Sequence, residues 1–520
     1  MSQESTMYNF WLNFMLLLPT LGVPVILLAK DKVAKYIAML FSVITFLLSV
    51  FLYVQYQTYS TREITAGLFV FETAYNWIGM LVGNEWVTNF DIKFITGVDG
   101  ISIYLVLLTT LLFPLSIWFS WGSITENEKA YYALLLLLET GVLGVFVALD
   151  LVLFYIFFEV GLIPMYFLIG LWGGKDRIYA AVKFFLYTLV GSLLMLIAIL
   201  YLGYSAGQAV NGGVFTTDLI KILNYSVPTD VQPWLFWGFF LSFAIKVPLF
   251  PFHTWLPDAH VQAPTAGSVL LAGVLLKLGT YGIVRFCLPL FPAASLDYAT
   301  AIAGLGLVGI IYGAMAAMVQ TDIKKLIAYS SVAHMGFVVM GTFAMTEEAL
   351  SGAVLQMINH GVSTGALFLI VGMIYDRTHT REIAEYEGVA THLPIFTLFF
   401  MISTLSSIGL PGLNGFVGEF LILLGSFKSS VFHPSLVIFA TTGVIIAAVY
   451  MLWMFRRVMF GKLDFEKTPK LKGTTDLNSL EVGVLLPLVI LMFAIGLYAT
   501  PFLEEINKSS AIIISKVMAK

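Results

Sequence analysis

Cysteine is almost missing: Cys287 stands alone in 520 residues. One thiol excludes a disulfide within the chain, and also an iron–sulfur cluster held by this chain alone. No glycine-rich loop lies between a strand and a helix, so a nucleotide phosphate has no cradle here. No His, Cys or Asp falls at metal-ligand spacing, and no metal is expected. Charge is also scarce. Asp, Glu, Lys and Arg make up 11% of the chain against 59% hydrophobic residues, and the mean hydropathy is +0.91. Such a composition excludes a soluble domain of this length and leaves a polytopic membrane protein.

What is present is a series of long apolar runs, each near the 20 or so residues that cross a hydrocarbon core of roughly 30 Å. They fall near 10–29, 36–56, 99–121, 131–149, 151–171, 181–206, 233–256, 262–287, 298–319, 326–344, 351–375, 394–422, 433–459 and 481–501. That makes about fourteen transmembrane helices. Seventeen Lys and Arg follow odd-numbered spans, from Lys30 to Lys472 and including Lys467, whereas seven, including Arg62 and Lys520, follow even-numbered ones. The positive-inside rule therefore places both termini outside. Met1–Phe10 has no basic n-region or cleavage site, so the first span is expected to be retained. The stretch from Gln57 to Gly97, with Trp77, Trp86 and Asp91, reads as an external loop, and Asp99 as a cap of the third span.

The charges that lie inside the spans carry the functional argument. Lys246 follows more than ten apolar residues and precedes Pro248 and Pro251, with the polar exit only at Asp258. A cation at membrane depth beside a broken helix is costly and marks an ion pathway. Glu159, just before Pro164, is a candidate partner for it on the fifth span, and Lys277 adds a second cation on the eighth. The small, polar stretch Gln262–Ser268 that opens the eighth span reads as easily unwound. Glu139 is either a hydrogen-bonded acid joining two helices or a supporting functional group. Arg285, nearer the span's end, reads as a snorkelling side chain, and Lys324-Lys325 as an inside turn. His334 and His360 sit on neighbouring spans among Ser, Asn and Gly, where imidazoles pass protons through a hydrated path. A second break, Gly409-Leu410-Pro411-Gly412, is followed by Glu419. Breaks five spans apart suggest inverted repeats over spans four to eight and nine to thirteen.

These residues match a known family. Phe158-Glu159…Ile163-Pro164-Met165-Tyr166, Lys246-Val247-Pro248…His253-Thr254-Trp255-Leu256-Pro257-Asp258-Ala259-His260, Ser330-Ser331-Val332-Ala333-His334-Met335-Gly336 and Gly409-Leu410-Pro411-Gly412…Gly415-Phe416 resemble the antiporter-like subunits of respiratory complex I. The resemblance runs from about Asp99 to Arg457. Glu419, where related branches usually carry lysine, and Tyr375-Asp376-Arg377-Thr378-His379-Thr380 point to the M-type (chain 4) branch.

The resemblance implies an all-α polytopic fold of about fourteen helices with two inverted five-helix repeats, broken at spans 7, 8 and 12. The expected divisions are 1–98 (N-terminal helices and external loop), 99–130, 131–287 (input repeat), 298–459 (output repeat) and 460–520 (inside loop and C-terminal helix). It further implies proton translocation coupled to NADH–quinone electron transfer in other subunits. Glu159 would pair with Lys246, Lys277 would be the central relay and Glu419 the exit-side group, with His253, His334 and His360 lining the axis between them. NADH, FMN, iron–sulfur clusters and quinone would belong to partner subunits, with no cofactor in this chain. The expected partners are other membrane-arm subunits, especially the L and N types, and the lipid bilayer, with no nucleic acid. The expected location is a bacterial inner membrane. Competing readings are a subunit of a multi-chain sodium/proton antiporter, a ferredoxin-dependent photosynthetic complex, or a membrane-bound hydrogenase.

Overall fold

The structure is a computed structural model that describes residues 3–63, 69–78, 80–82, 85–87, 90–466 and 468–519. Lys467 and Lys520, and the side chains of Arg62 and Trp86, lie outside the described residues. Among the described residues, twelve helices are long and apolar enough to cross a membrane. Two further crossings are each made by a pair of shorter helices, Gln232–Lys246 with Trp255–Gln262 and Pro394–Ser407 with Asn414–Phe427. The total is the fourteen expected. The chain is an all-α polytopic membrane protein built on two five-helix repeats. Each repeat has its broken helix in fourth place, and an odd number of spans makes the second repeat begin on the opposite side from the first.

Burial sorts the helices. The eighth and eleventh spans (Thr265–Leu290 and Glu347–Thr378) are enclosed through their apolar stretches, while the second (Asp31–Thr58) is mostly uncovered. The enclosed helices carry Lys277, Arg285, Gln356, Asn359 and His360, because a polar side chain facing lipid has no partner to offset its lost hydration. Caps set several starts. Asp150 Oδ1 accepts from the backbone of Val152 and Leu153, Asp322 Oδ1 from Lys324 and Lys325, and Asn478 with Glu481 forms a capping box at Ser479–Leu497.

The breaks differ in kind. After Lys246, Pro248 and Pro251 offer no N–H to continue the ladder. The freed carbonyls are taken up locally: Leu249 N donates to Ala244 O at 2.7 Å, and the Trp255 indole donates to Ile245 O at 2.8 Å. The fifth span is interrupted at Gly161, two residues after Glu159 and three before Pro164. The eighth span does not unwind: from Thr265 it runs on to Leu290, its ladder loosened by π turns at Leu271–Leu275 and Ile283–Cys287.

The stretch expected as an external loop carries a strand pair, since Val70–Asn76 runs antiparallel to Lys93–Val98. Both stretches are rich in aromatic and β-branched residues, which suit a half-covered sheet. Arg285 does not snorkel: it is 3% exposed and ion-paired at 2.6 Å with Asp99 at the head of the third span. Asp99 also caps as expected, accepting from Ile101 N and Ser102 N. Finally, Ser479–Leu497 is followed by a separate helix, Thr500–Met518, which packs back against the eleventh and ninth spans. Its acids and lysines interrupt the apolar run on which a span count depends.

Candidate functional site

Lys277 sits at the centre of the enclosed eighth span and is fully buried. The π turn before it exposes the Ala272 carbonyl, to which the ammonium donates. Its other partner is His360 Nδ1, 2.7 Å away on the eleventh span. The His360 and His334 rings face each other edge to plane, 5.6 Å between centroids. His334 Nδ1 meets Glu419 Oε1 at 2.9 Å, and its Nε2 lies 3.3 Å from Ser407 Oγ. Gln356 Nε2 donates to the same carboxylate at 3.2 Å. Lys277, at the end of the first repeat, and His360, His334 and Glu419 of the second thus form one buried line.

The second break builds the far end of this line. Gly409 adopts a φ of +75°, open to glycine and strained for other residues. A Cβ there would stand 3.1 Å from Glu419 Oε2. Ser406 Oγ donates to Asn414 Oδ1 at 2.5 Å, and Asn359 Nδ2 donates to Asn414 O at 2.7 Å, so the two half-helices are tied across the gap. Between the imidazoles lies a cavity of about 10 Å³ lined by His334, His360, Gln356, Asn359, Ser363 and Ser407. That volume and its polar wall suit a single water molecule.

The first repeat is assembled differently. Lys246 is 1% exposed, and its ammonium lies 4.5 Å from the centre of the Phe158 ring without a hydrogen-bond partner. Glu159, half-buried, is the acid whose charge acts on it, yet no ion pair joins the two among the described residues. The kink at Gly161 and the break after Lys246 put the groups in each other's field rather than in contact. His253 stands apart from the line as well. It is enclosed by Phe250 and Tyr312, with neither nitrogen hydrogen-bonded. Glu139 is wholly buried on the fourth span, accepting from Ser42 Oγ at 3.1 Å. It belongs to the packing against the second helix, away from the line.

Two groups join the site that the sequence pattern does not single out. His260 is fully buried, stacked on Phe368 with 4.5 Å between centroids, both nitrogens unpartnered, and within the fields of Lys277 and Lys324. Lys324, expected in a turn, is 6% exposed and donates to Ala263 O at 2.6 Å. It lines a polar recess of about 510 Å³ with Asp376, Arg381, Gln262 and Asp176. The available signal for His260 is its place at the end of the Lys246–His260 motif, just before the polar stretch that opens the eighth span. No cluster able to hold a metal ion occurs among the described residues.

The family described as NADH:quinone oxidoreductase/Mrp antiporter, transmembrane, matches residues 148–447. NADH-quinone oxidoreductase subunit M of Rhodobacter capsulatus is 46% identical over 496 residues, covering 93% of this chain and 91% of that one. Among solved structures, a chain of respiratory complex I from Thermus thermophilus with bound NADH superposes with a TM-score of 0.83 at 31% identity, covering 97% of this chain and 99% of that one. A chain of the Mrp complex from Dietzia superposes at 0.80 with 18% identity, covering 99% of this chain and all of the other, which is a likeness of fold alone.

Proposed function

This chain belongs to the subunit M family of NADH-quinone oxidoreductase, as a proton-translocating membrane subunit of complex I, and on that premise we propose which of its residues carry the proton. Lys277 is the central relay, His360 and His334 pass the proton along the second repeat, and Glu419 is the exit-side group. The observation that carries this reading is the buried line from Lys277 to Glu419, hydrogen-bonded at each end and joined in the middle by two imidazoles that face each other with 5.6 Å between centroids. An imidazole accepts a proton on one nitrogen while releasing one from the other, so two facing rings and a water-sized cavity suit transfer. The recess around Lys324, with His260 behind it, supplies the entry to Lys277.

Glu159 and Lys246 set the direction. When they approach, the lysine holds its proton; when they separate, Lys246 sheds charge and favours loading of Lys277. Charge changes in the neighbouring subunit set that geometry, so the signal travels sideways along the membrane arm. The L and N type subunits are the neighbours. NADH, FMN, iron–sulfur clusters and quinone belong to other chains of the complex. The basic loops face the cytoplasm of a bacterial cell and both termini face outward, following the distribution of Lys and Arg. The division 131–287 and 298–459 then separates input from output.

Measuring protons pumped per NADH oxidised, with the whole complex in sealed vesicles, tests this. Lys277→Ala or Glu419→Ala should uncouple turnover from pumping. Wild-type stoichiometry in both variants would overturn the assignment.

A further inference from the structure

At the strand-bearing face of the protein, two turns along the eighth span from Lys277, lies a second buried charge cluster that the relay does not use. Arg285 is 3% exposed, and its Nη2 stands 2.6 Å from Asp99 Oδ2, itself 3% exposed. Arg285 Nε donates to the Tyr281 hydroxyl at 3.1 Å, and that hydroxyl donates to Phe146 O. The guanidinium also lies over the Phe69 and Tyr281 rings, at 4.9 and 5.2 Å. One acid, one phenol and two ring faces thus bear on this cation. Lys277, Tyr281 and Arg285 follow at four-residue intervals, which on a helix places them on one face.

The terminal helix Thr500–Met518 closes the cluster from outside. Gly100, next to Asp99, donates its N–H to Ser509 Oγ at 3.0 Å, and any Cβ at Gly100 would collide with the Glu505 carbonyl. Glu505, 5% exposed, accepts from Lys508 at 2.7 Å. Tyr104 donates to Pro501 O at 2.8 Å, and Lys516 to Leu223 O at 2.8 Å. The helix is bolted over the place where the third and eighth spans reach the surface.

Arginine does not give up its proton in proteins, so Arg285 is unfit to pass one on. A fixed cation of this kind in a low-dielectric passage repels a protonated carrier, as pore-lining arginines do. We propose that Arg285, anchored by Asp99 and covered by the terminal helix through Glu505, is an electrostatic barrier that stops protons on Lys277 from escaping through the strand-bearing face. Arg285 and Asp99 are then positioning residues, which keep the outward route through the first repeat shut while the line to Glu419 stays open. The inference rests on Lys277 being the central relay.

The experiment measures passive decay of an imposed pH gradient across vesicles holding the intact complex, without NADH, alongside NADH:quinone turnover. Arg285→Met removes the fixed cation and leaves the Asp99 carboxyl unpaired, and should raise the passive proton leak on the order of tenfold, with electron transfer retained. Arg285→Lys, which keeps the charge, should stay near the wild-type leak. Adding Lys277→Met to Arg285→Met should return the leak to wild type. A wild-type leak in assembled Arg285→Met, a leak in Arg285→Lys equal to that of Arg285→Met, or a leak that persists in the double variant would each overturn the barrier. Should Arg285→Met not assemble, Glu505→Gln decides, since it loosens the cover and spares the ion pair: a raised leak supports the barrier and an unchanged one overturns it. Normal pumping by Lys277→Met alone would instead remove the relay assignment beneath it.

Discussion

At the first broken helix the Lys246 ammonium rests against the Phe158 ring with no hydrogen bond, and its acid, Glu159, is close enough to act through the field alone. At the second, Glu419 is held by both His334 and Gln356, and the half-helices are laced by Ser406, Asn414 and Asn359. The breaks hold equivalent places in their repeats, yet one leaves its charge unsatisfied and the other satisfies it. A buried charge without a fixed partner is sensitive: moving a counter-charge by a few ångströms changes its energy by about 2 kcal/mol at an effective dielectric near 20. A satisfied acid is insensitive to such movement and suits conduction. The first break is therefore built as a switch and the second as a conductor.

Lys277 joins the two, and its loss should have the largest effect. Lys277→Met should cut NADH-driven proton uptake through this subunit by about a hundredfold or more, in the range for losing a positioned proton-transfer group. Because other subunits of the complex also pump, the readout is the drop in protons per NADH, measured with a pH-sensitive dye in vesicles. An unchanged ratio would mean that switch and conductor do not meet at this lysine.

The next test separates switch from conductor. His360→Leu removes the ring hydrogen-bonded to Lys277, and should slow transfer about tenfold while leaving the Glu159–Lys246 response intact. Glu419→Gln removes the exit-side proton but keeps the shape. If Glu419→Gln pumped normally while Glu419→Lys did not, the carboxyl would be a structural partner of His334 rather than a proton carrier.

Stability should divide the breaks in a different way. Replacing Lys246 by Met takes away an unpartnered buried charge and should leave thermal stability of the complex unchanged or slightly raised, although pumping falls. Glu419→Ala strands the His334 and Gln356 donors and should cost about 1–3 kcal/mol, read as a lower unfolding midpoint. Equal losses in both variants would erase the contrast.

Much of this contrast is legible in the amino-acid sequence. Fourteen spans follow from apolar runs and charge gaps, and both breaks from Pro and Gly at membrane depth. Pairing is what the sequence hides. Nothing in the local pattern around Arg285 announces Asp99, which lies in a different span, and so a snorkelling arginine is the natural reading. His260 differs from His253 in sequence only by its neighbours. Its stacking on Phe368 and its place between Lys277 and Lys324 come from helices far apart in the chain. Thr500–Met518 leaves no hydropathy signal because an amphipathic helix lying across a bundle has no long apolar run. Contacts between distant segments are set by packing, which periodicity along one segment does not encode.

Asp91 offers a reference acid outside the membrane against which both breaks can be read. It is half-buried and bound by Lys221 at 2.6 Å and Lys93 at 2.7 Å. Burial pushes its pKa up, but hydrogen bonds from Lys221, Lys93 and Thr216 and the charge of Lys93 outweigh burial and hold it at about 2, below its ordinary 3.8. A depressed carboxyl contributes stability that is present above pH 3.8 and is lost as pH falls through about 2. Asp91→Asn should remove that contribution, on the order of 1 kcal/mol after screening, and flatten the acid limb of the unfolding curve between those values. Pumping at neutral pH should not change, since Asp91 touches neither break. Loss of pumping with Asp91→Asn would show that the strand-bearing face is coupled to the switch, and that the two breaks do not divide the work between them.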